Sequence, residues 1–543
     1  QLEVADDRRL ARQGNNGLQV ETKAHPMAAG NVTDDPRQVD NSRDSIATAM
    51  AKMSEPVAVL ADSGGSQLVE LVVTYESHPE MFENDRVAKL GGLVVRDYNV
   101  LDMMAIRVPA NALVDLAVEE NVSRLSLDAE VTSMSVASRQ AANQPGTDSA
   151  NSAYTGLGVN VAVVDTGISE HADLGVNIRQ YDFLNGAYPQ PVVSTSLALS
   201  STFGVYDTGS WGVSSTQDEV ISVYNDNPRH DQFGHGTHVA GIISGRGFDS
   251  ANEYRGTAKG DQLLALRVLN DFGTGQTSDT IAALDWLLQY GHLFDIRVVN
   301  LSLGKLISES NTTDPLVLAA EALWDSGMVV VAAAGNLGTA GHFTIKSPAN
   351  SRKIITVGSL TDNGTGTNYD DDYVSTYSSR GPTLADLVLK PDLIAPGNRL
   401  VATTPDGAYL GLILPGNLRP CTVEGCESQY LELSGTSMAA PMVTAAASLM
   451  LQKDPTLTPA TVKARLMRST RKLDGVDPTI SGTGVLDIDA AMNDTGVLTG
   501  DALSPLMIRD DESGGILIED TAGLWGDSTW AAGYLWADGF LWA

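Results

Sequence analysis

The chain of 543 residues carries 67 acidic and 35 basic side chains, a formal charge of −32 that disfavours nucleic acid and anionic membranes as partners. Its length exceeds what one hydrophobic core usually supports, so we expect two or three domains. Because no run of roughly 18 or more apolar residues occurs, the sequence predicts no membrane-spanning helix.

The N-terminal third of the chain changes texture twice. Residues 1–66 are polar and show no sustained period, which predicts a flexible leader. Residues 67–132 alternate strand-like and helix-like segments in the order strand, helix, strand, helix, strand, which is typical of one small α+β domain. Residues 133–154 combine small and polar residues with Pro and Gly, and we interpret them as a linker.

A second and larger domain is predicted over residues 155–495, where apolar strands alternate with helical segments. These strands are continuously apolar, as strands covered on both faces are. The pattern predicts an α/β domain with a parallel sheet and helices on both faces. The strands are VNVAVVD, QLLALRVL, IRVVNLSLG, MVVVAAAG and KIITVGSL.

Polar residues follow several of these strands, at the sheet edge where function collects in parallel sheets. Asp165 ends the first strand, Asn336 follows MVVVAAAG, and His235 begins a helix after the glycine of DQFGHG. Ser437 lies in LSGTSMAAP, where Pro441 is tolerated only near a helix start. Ser437 therefore lies where free N–H groups and the helix dipole point outward.

Each of these four residues also has an ordinary explanation. Asp165 suits a turn, His235 a loop, Asn336 a left-handed turn and Ser437 an N-cap. Taken together, they supply what acyl transfer by a serine requires, namely a nucleophile, a base, an acid that orients the base, and a donor for the oxyanion.

Five segments resemble the signature motifs of the subtilisin-like serine peptidases, in the order that this family has. They are VAVVDTGI, GHGTHVAG, VVNLSLG, VVAAAGNLG and SGTSMAAP. The order Asp, His, Ser separates this family from the α/β-hydrolases, whose order is Ser, Asp or Glu, His. The resemblance implies a subtilisin-like fold over residues 155–495, with Ser437 as nucleophile, His235 as general base, Asp165 as its orienting acid and Asn336 in the oxyanion hole.

The resemblance also implies two strands that pair with an extended substrate, and a pocket for the residue before the cut bond. Gly304 and Ala333 would form the floor of that pocket, which suits a medium or large apolar side chain. Ordinary turns are the alternative explanation for the glycines. The expected substrate-binding residues are Gly273, Thr274, Gly275, Ser302, Leu303, Gly304 and Ala333.

Structural calcium is common in this family, and no cofactor is expected for the chemistry itself. Asp173 in EHADL resembles a calcium ligand of the family, and Asp249 and Asn252 are further candidates; solvated surface residues are the alternative. Cys421 and Cys426 are the only cysteines, and their tight spacing suits either a small disulfide or two idle thiols.

Residues 67–132 in turn resemble the inhibitor-type propeptide of these peptidases. Such a segment assists folding and then blocks the substrate cleft, so we expect a zymogen that acts on protein or peptide substrates. Self-cleavage is expected between Glu130 and Arg139. We expect a secreted monomer whose signal peptide has been removed before Gln1, a trimmed sequence being the alternative.

Two further features remain open. Long insertions follow Asp165 and precede Ser437, and they are expected to form rims or lids of the site. Residues 496–543 form an extension with a repeated tryptophan pattern, which suits a carbohydrate-binding or secretion role or a cap on the catalytic domain. The alternative functions are a catalytically silent peptide-binding protein and an esterase or transacylase. The repeated tryptophans are Trp525, Trp530, Trp536 and Trp542.

Overall fold

The computed structural model describes most of the chain. The described residues are 43–134, 151–175, 178–197, 211–212, 219–224, 230–363, 369–473, 475–509 and 516–519. The first 42 residues of the predicted leader and the four tryptophans of the predicted tail pattern therefore lie outside the described residues.

An antiparallel sheet of four strands, in the order β2 (Leu93–Asp97), β3 (Met103–Pro109), β1 (Leu68–Tyr75) and β4 (Val122–Leu127), forms the N-terminal part of the structure. Alternate residues of β1 belong to two different hydrophobic cores. Leu71 and Val73 pack against the N-terminal helices, whereas Val72 faces the core of the larger domain. The middle strand predicted within residues 67–132 is two strands, β2 and β3, in the structure. The elements are α1 (Arg43–Ala51), α2 (Glu55–Ser63), β1 (Leu68–Tyr75), α3 (Met81–Lys89), β2 (Leu93–Asp97), β3 (Met103–Pro109), α4 (Leu113–Ala117) and β4 (Val122–Leu127).

The end of the predicted flexible leader is ordered as α1 and α2, which corrects that prediction for residues 43–63. Ala49, Met53 and Val57 are buried in the N-terminal core, and the Ser54 N–H donates to the Leu125 carbonyl. Both helices have nine residues, and each buries few side chains, such as Ala49 in α1 and Val57 in α2. Such short segments give a weak periodic signal and depend on tertiary packing for their stability.

The remaining elements run from residue 130 to residue 518. The strands are β5 (Glu130–Ser133), β6 (Asn160–Asp165), β7 (Arg179–Asp182), β8 (Val192–Leu197), β9 (Trp211–Gly212), β10 (Glu219–Tyr224), β11 (Gln262–Arg267), β12 (Thr274–Gln276), β13 (Ile296–Leu301), β14 (Leu303–Gly304), β15 (Val329–Ala333), β16 (Ile355–Thr361), β17 (Tyr373–Val374), β18 (Leu393–Pro396), β19 (Leu400–Thr404), β20 (Leu418–Pro420), β21 (Gln429–Leu433), β22 (Met507–Arg509) and β23 (Ile516–Ile518). The helices are α5 (His235–Ser244), α6 (Thr277–Tyr290), α7 (Pro315–Asp325), α8 (Tyr409–Ile413), α9 (Thr436–Lys453), α10 (Pro459–Arg468), α11 (Pro478–Ser481) and α12 (Ile488–Asn493).

The central sheet has the order β17-β16-β15-β13-β6-β11-β7, with β18 also paired to β16. All of these pairs are parallel except the one between β16 and β17. Every residue of β15 and β16 is buried, so the sheet is covered on both faces there. The five strands predicted from the sequence are β6, β11, β13, β15 and β16, and the predicted α/β class is confirmed.

The first part of the predicted C-terminal extension packs onto the larger domain. Leu498 and Ala502 lie in a small core with residues of α10 and with Leu389. Ser504 is fully buried, and the Lys463 ammonium donates to its hydroxyl at 2.9 Å. In the part of the chain that the structure describes, no helix is both long enough and apolar enough to cross a bilayer.

Candidate active site

Asp165 and His235 meet at the carboxyl edge of the central sheet. Asp165 is the last residue of β6, and His235 is the first residue of α5. The His235 Nδ1–H donates to Asp165 Oδ1 at 2.7 Å, and both side chains are fully buried. This hydrogen bond leaves the proton off Nε2 in the neutral ring, so Nε2 is free to act as a base.

Glycine allows α5 to approach the end of β6 this closely. A Cβ at Gly236 would lie 2.1 Å from the Gly167 carbonyl oxygen, which no larger residue tolerates. Asp231 holds the start of the same helix, because its carboxylate accepts the N–H groups of Gly234 and Thr237, each at 2.8 Å. Burial raises the pKa of Asp231 above its ordinary value.

Ser437 is the second residue of α9, as predicted from the position of Pro441. Its hydroxyl donates to the Ser302 carbonyl at 2.9 Å and accepts the Met134 N–H at 3.0 Å. Its own N–H donates to the Met134 carbonyl at 3.2 Å. The carbonyl of Met134 therefore lies at the positive end of α9, where the helix dipole stabilises negative charge.

Asn336 follows β15 and lies beside the start of α9. Its Oδ1 accepts from the Thr436 N–H at 3.0 Å and from the Thr436 hydroxyl at 3.1 Å. These two hydrogen bonds fix the orientation of the side-chain amide, so its Nδ2 group points away from Thr436. Asn336 Nδ2 is buried and has no hydrogen-bond partner among the described residues.

Three of the four predicted catalytic residues carry a buried polar atom that lacks a hydrogen-bond partner within the described part of the chain. Asp165 Oδ2, His235 Nε2 and Asn336 Nδ2 are all buried without a hydrogen-bond partner among the residues described. Such atoms are rare in native structures because each costs about 1–3 kcal/mol. At these three residues, such atoms are available to hydrogen-bond a reacting substrate.

A strand from the N-terminal part of the chain occupies the cleft in front of these residues. Strand β5 lies antiparallel between β12 and β14, and the three form a small sheet. The paired residues are Thr132 with Thr274 and Gly304, Val131 with Gly275, and Ser133 with Leu303. The Ser133 N–H also donates to the Gly273 carbonyl, and the Met134 N–H to the Ser302 carbonyl.

These contacts bring together six of the seven predicted substrate-binding residues around one extended segment of the chain. The seventh, Ala333, is buried at the end of β15, next to the segment that carries Asn336. The Met134 side chain lies over Gly304, since a Cβ at Gly304 would be 2.2 Å from its Cε. The cleft therefore holds a peptide by its backbone and receives the last side chain in a pocket.

His238 is one helical turn beyond His235 and belongs to the packing of α5. It is fully buried, and its Nε2 donates to the Leu431 carbonyl at 2.8 Å. Burial lowers the pKa of His238 to about 3. The imidazole is therefore neutral at physiological pH and adds no charge beside the candidate base.

The residues predicted to bind calcium, Asp173, Asp249 and Asn252, do not fit such an ion. Asp173 is fully buried, and its oxygens accept the Tyr430 hydroxyl at 2.6 Å and the Asp249 N–H at 3.1 Å. Calcium takes about six to eight oxygen ligands. Within the described residues, no group of three or more Asp, Glu, His or Cys side chains is arranged to hold a metal.

The second predicted insertion, which precedes Ser437, contains α8, β20 and β21. Cys421 and Cys426 are joined there by a disulfide. In the first insertion, the described backbone forms a three-stranded sheet in the order β8-β10-β9.

Three residues of the site escaped the sequence analysis. Asp231 carries a recognisable signal, because an aspartate just before a helix start is a candidate cap. Thr436, which orients Asn336, is adjacent to the nucleophile and has no signal of its own. Met134 acquires its importance only from the pairing of β5 with β12 and β14, which the local sequence does not specify.

The chain is similar to known proteins over the part that carries these residues. Residues 156–485 match the Subtilase family. The chain is 34% identical over 398 residues to serine protease AprX of Bacillus subtilis, covering 72% of this chain and 79% of the relative. It is 32% identical over 293 residues to subtilisin DY of Bacillus licheniformis, covering 53% and 89%.

A solved structure with a similar fold is that of fervidolysin from Fervidobacterium pennivorans, described as a keratinolytic enzyme related to subtilisin. The TM-score is 0.57 at 19% sequence identity, and the match covers 80% of this chain and 62% of that one. This likeness concerns the fold.

Proposed function

The chain belongs to the subtilase family of serine proteases, and from this premise we propose that it is an endopeptidase made as a zymogen that cuts its own chain after Met134. The observation that carries this proposal is the pair of contacts between Ser437 and Met134. The serine N–H donates to the Met134 carbonyl, and the serine hydroxyl lies at the Met134 N–H. The peptide bond after Met134 lies inside the interval from Glu130 to Arg139 expected from the sequence.

The proposed reaction begins when the Ser437 hydroxyl turns from the Ser302 carbonyl towards His235 Nε2. The serine oxygen forms a bond to the Met134 carbonyl carbon while its proton passes to Nε2. The Ser437 N–H and Asn336 Nδ2 stabilise the negative oxygen that develops. Asp165 holds the imidazole and stabilises its positive charge.

The tetrahedral intermediate then collapses and breaks the bond between Met134 and Ser135. His235 gives its proton to the departing amine, which leaves an ester between Ser437 and Met134. Water, deprotonated by His235, attacks this ester, releases the Met134 carboxylate and restores the serine. No cofactor takes part in these steps, and the predicted structural calcium remains a prediction without an assigned site.

The N-terminal part of the chain acts in this proposal as an inhibitor that remains bound after the cut. Asp285 on α6 supports this role, because its carboxylate accepts the N–H groups of Asn99, Val100 and Leu101, each at 2.8 Å. Arg96 is buried in the same contact and donates to Asp279 and to the Phe183 carbonyl. These polar contacts lie outside the cleft and persist when the chain is cut.

Replacing Asp285 by alanine is expected to release the inhibitor earlier. Three backbone N–H groups lose a charged acceptor, and hydrogen bonds to charged groups are each worth about 1.5–3 kcal/mol. The measurement is the delay between chain cleavage, followed on gels, and the rise of activity on a reporter peptide. We expect this delay to shorten at least about tenfold, and less in Asp285→Asn, which keeps one acceptor oxygen. An unchanged delay in both variants would exclude this contact as a determinant of inhibition.

Removing the side-chain donor of the oxyanion hole is expected to slow catalysis without weakening binding. Asn336→Asp keeps the oxygen that Thr436 requires and loses the Nδ2 donor. We expect kcat to fall about 10²–10³-fold, as it does when one such donor is removed from subtilisin, with KM nearly unchanged. Steady-state kinetics on a peptide substrate measure both parameters. A loss carried mainly by KM would assign Asn336 to substrate binding instead.

Secretion is part of the proposal and is supported by the disulfide between Cys421 and Cys426. Disulfides persist in oxidising compartments and are rare in the cytosol. We further propose that the enzyme works as a monomer on protein or peptide substrates, since one chain supplies the triad, the oxyanion donors and both pairing strands.

A peptide with the sequence of residues 130–139, EVTSMSVASR, tests the endopeptidase activity directly. The expected products end in Met and begin with Ser, and Ser437→Ala should form neither. An ester that carries the same EVTSM acyl group separates the alternatives. An esterase would cleave the ester and leave the peptide intact, whereas a silent peptide-binding protein would cleave neither.

A further inference from the structure

The pocket that receives Met134 contains a lysine that the sequence motifs do not include. Lys346 lies between β15 and β16, and its N–H donates to the Ala334 carbonyl at 3.0 Å. A Cβ at Gly304 would lie 3.3 Å from Lys346 Cβ, and 2.2 Å from Met134 Cε. The lysine stem and the end of the Met134 side chain therefore lie against the same glycine.

The lysine stem continues along the pocket towards the oxyanion hole. A Cβ at Gly335, the residue before Asn336, would lie 3.1 Å from Lys346 Cγ and 3.5 Å from its Cδ. The two glycines thus leave room for a long aliphatic chain that ends in an ammonium group. Lys346 therefore lines the pocket.

The ammonium group of Lys346 has no acidic partner among the residues that the structure describes, although the side chain is partly buried. Desolvation lowers its pKa, and no carboxylate offsets that effect. Lysines of this chain that are buried are paired: Lys305 contacts Asp314 at 3.0 Å, and Lys390 contacts Asp392 at 2.6 Å. A ligand that carries a negative charge forms an ion pair with such an unpaired cation.

We propose that Lys346 is a specificity-determining residue that makes the enzyme prefer an acidic side chain, above all glutamate, immediately before the cut bond. The inference rests on the proposed endopeptidase function. Glutamate and methionine side chains have the same number of heavy atoms along the chain, so a glutamate carboxylate reaches the region that the end of Met134 occupies. There it lies beside the stem of Lys346, whose flexible end brings the ammonium to the carboxylate.

This preference differs from the apolar one expected from Gly304 and Ala333 alone. It also gives the methionine at position 134 a role in maturation. Methionine fills the pocket but leaves Lys346 unpaired, so the end of the inhibitory segment is held less tightly than an acidic substrate. A substrate with glutamate at this position therefore competes well against the cut segment.

Four peptides that differ at one position test the proposal. They have the sequence EVTSXSVASR, with Glu, Gln, Met or Lys at X, and kcat/KM is measured for each with the matured enzyme. Charged hydrogen bonds are worth about 1.5–3 kcal/mol, so we expect Glu to exceed its neutral isostere Gln about tenfold or more, and Lys to be the poorest. The Glu preference should shrink as salt is added.

The matched variant is Lys346→Met, which keeps the aliphatic stem and removes the charge. We expect it to lower the Glu-to-Gln ratio of kcat/KM to about one or below. Equal cleavage of Glu and Gln peptides by the wild type would overturn the inference, as would a Glu preference that survives in Lys346→Met. Failure to cleave any peptide would instead overturn the proposed endopeptidase function, and this inference with it.

The full chain offers a second measurement that does not depend on added substrate. Met134→Lys places a second cation beside Lys346, whereas Met134→Glu places an acid there. We expect self-cleavage of the lysine variant to be at least about tenfold slower than that of the glutamate variant. The order should reverse, or the difference vanish, when each change is combined with Lys346→Glu. Equal rates for the two variants on the wild-type background would contradict the inference.

Discussion

Replacing Ser437 by alanine is expected to lower kcat for peptide hydrolysis about 10⁶-fold, the loss that follows removal of the nucleophile of a serine protease triad. The substitution removes only the hydroxyl group, and the acyl-enzyme cannot form without it. The Ser437 N–H and Asn336 remain, but the variant cannot cut its own chain, so β5 stays between β12 and β14 and only a small residual rate is expected. Steady-state turnover of EVTSMSVASR measures the change.

A neighbouring serine on the same helix provides the control for the Ser437 prediction. Ser448 is also buried in α9 but lies three turns away from the cleft. Ser448→Ala should keep kcat within a few-fold of the wild type and should still react with a fluorophosphonate probe. A Ser437→Ala variant that retains more than about 1% of the wild-type kcat would show that another group performs the chemistry.

Replacing Asp165 by asparagine is expected to lower kcat about 10⁴-fold, the second largest effect. The Asp165 Oδ1 accepts the His235 Nδ1–H at 2.7 Å in a fully buried contact. An asparagine that donates its amide to Nδ1 would move the imidazole proton to Nε2, where the base must be free. The positive imidazolium formed during the reaction would also lose its carboxylate.

Asp173→Asn is the matched control for the Asp165 prediction, because Asp173 is equally buried but bonds to Tyr430 and not to a catalytic residue. It should lower the melting temperature without a large change in kcat. The pH dependence of kcat, measured for the Asp165→Asn variant, reports whether His235 still acts as the base. A loss of less than about tenfold in kcat would contradict the assigned role of Asp165.

Much of the candidate site was predictable because each part of it has a local cause. Continuous apolar strands identify the parallel sheet, and the residues after them, such as Asp165 and Asn336, must lie at one edge. The helix that begins at Thr436 is marked by Gly435 and by the tolerated Pro441. These signals occupy a few neighbouring residues each, so a single sequence contains them.

Other features depend on contacts between distant residues and could not be predicted in the same way. Helix α1 is stabilised by packing on α4, and α2 by packing on α4 and β4, and alone they resemble a polar leader. The exact position of Met134 depends on the register of β5 between β12 and β14. Lys346 lies in a segment without a motif, and only the close approach of Gly304 and Gly335 makes it part of the pocket.

The most direct test of the account is the intact mass of the purified full chain after incubation, compared with that of Ser437→Ala. The account predicts that the wild type separates into two fragments, one ending at Met134 and the other beginning at Ser135, while the variant keeps its full mass. A wild type that stays whole, or a variant that is cut at the same bond, would contradict the claim that Ser437 cleaves the segment bound in its own cleft.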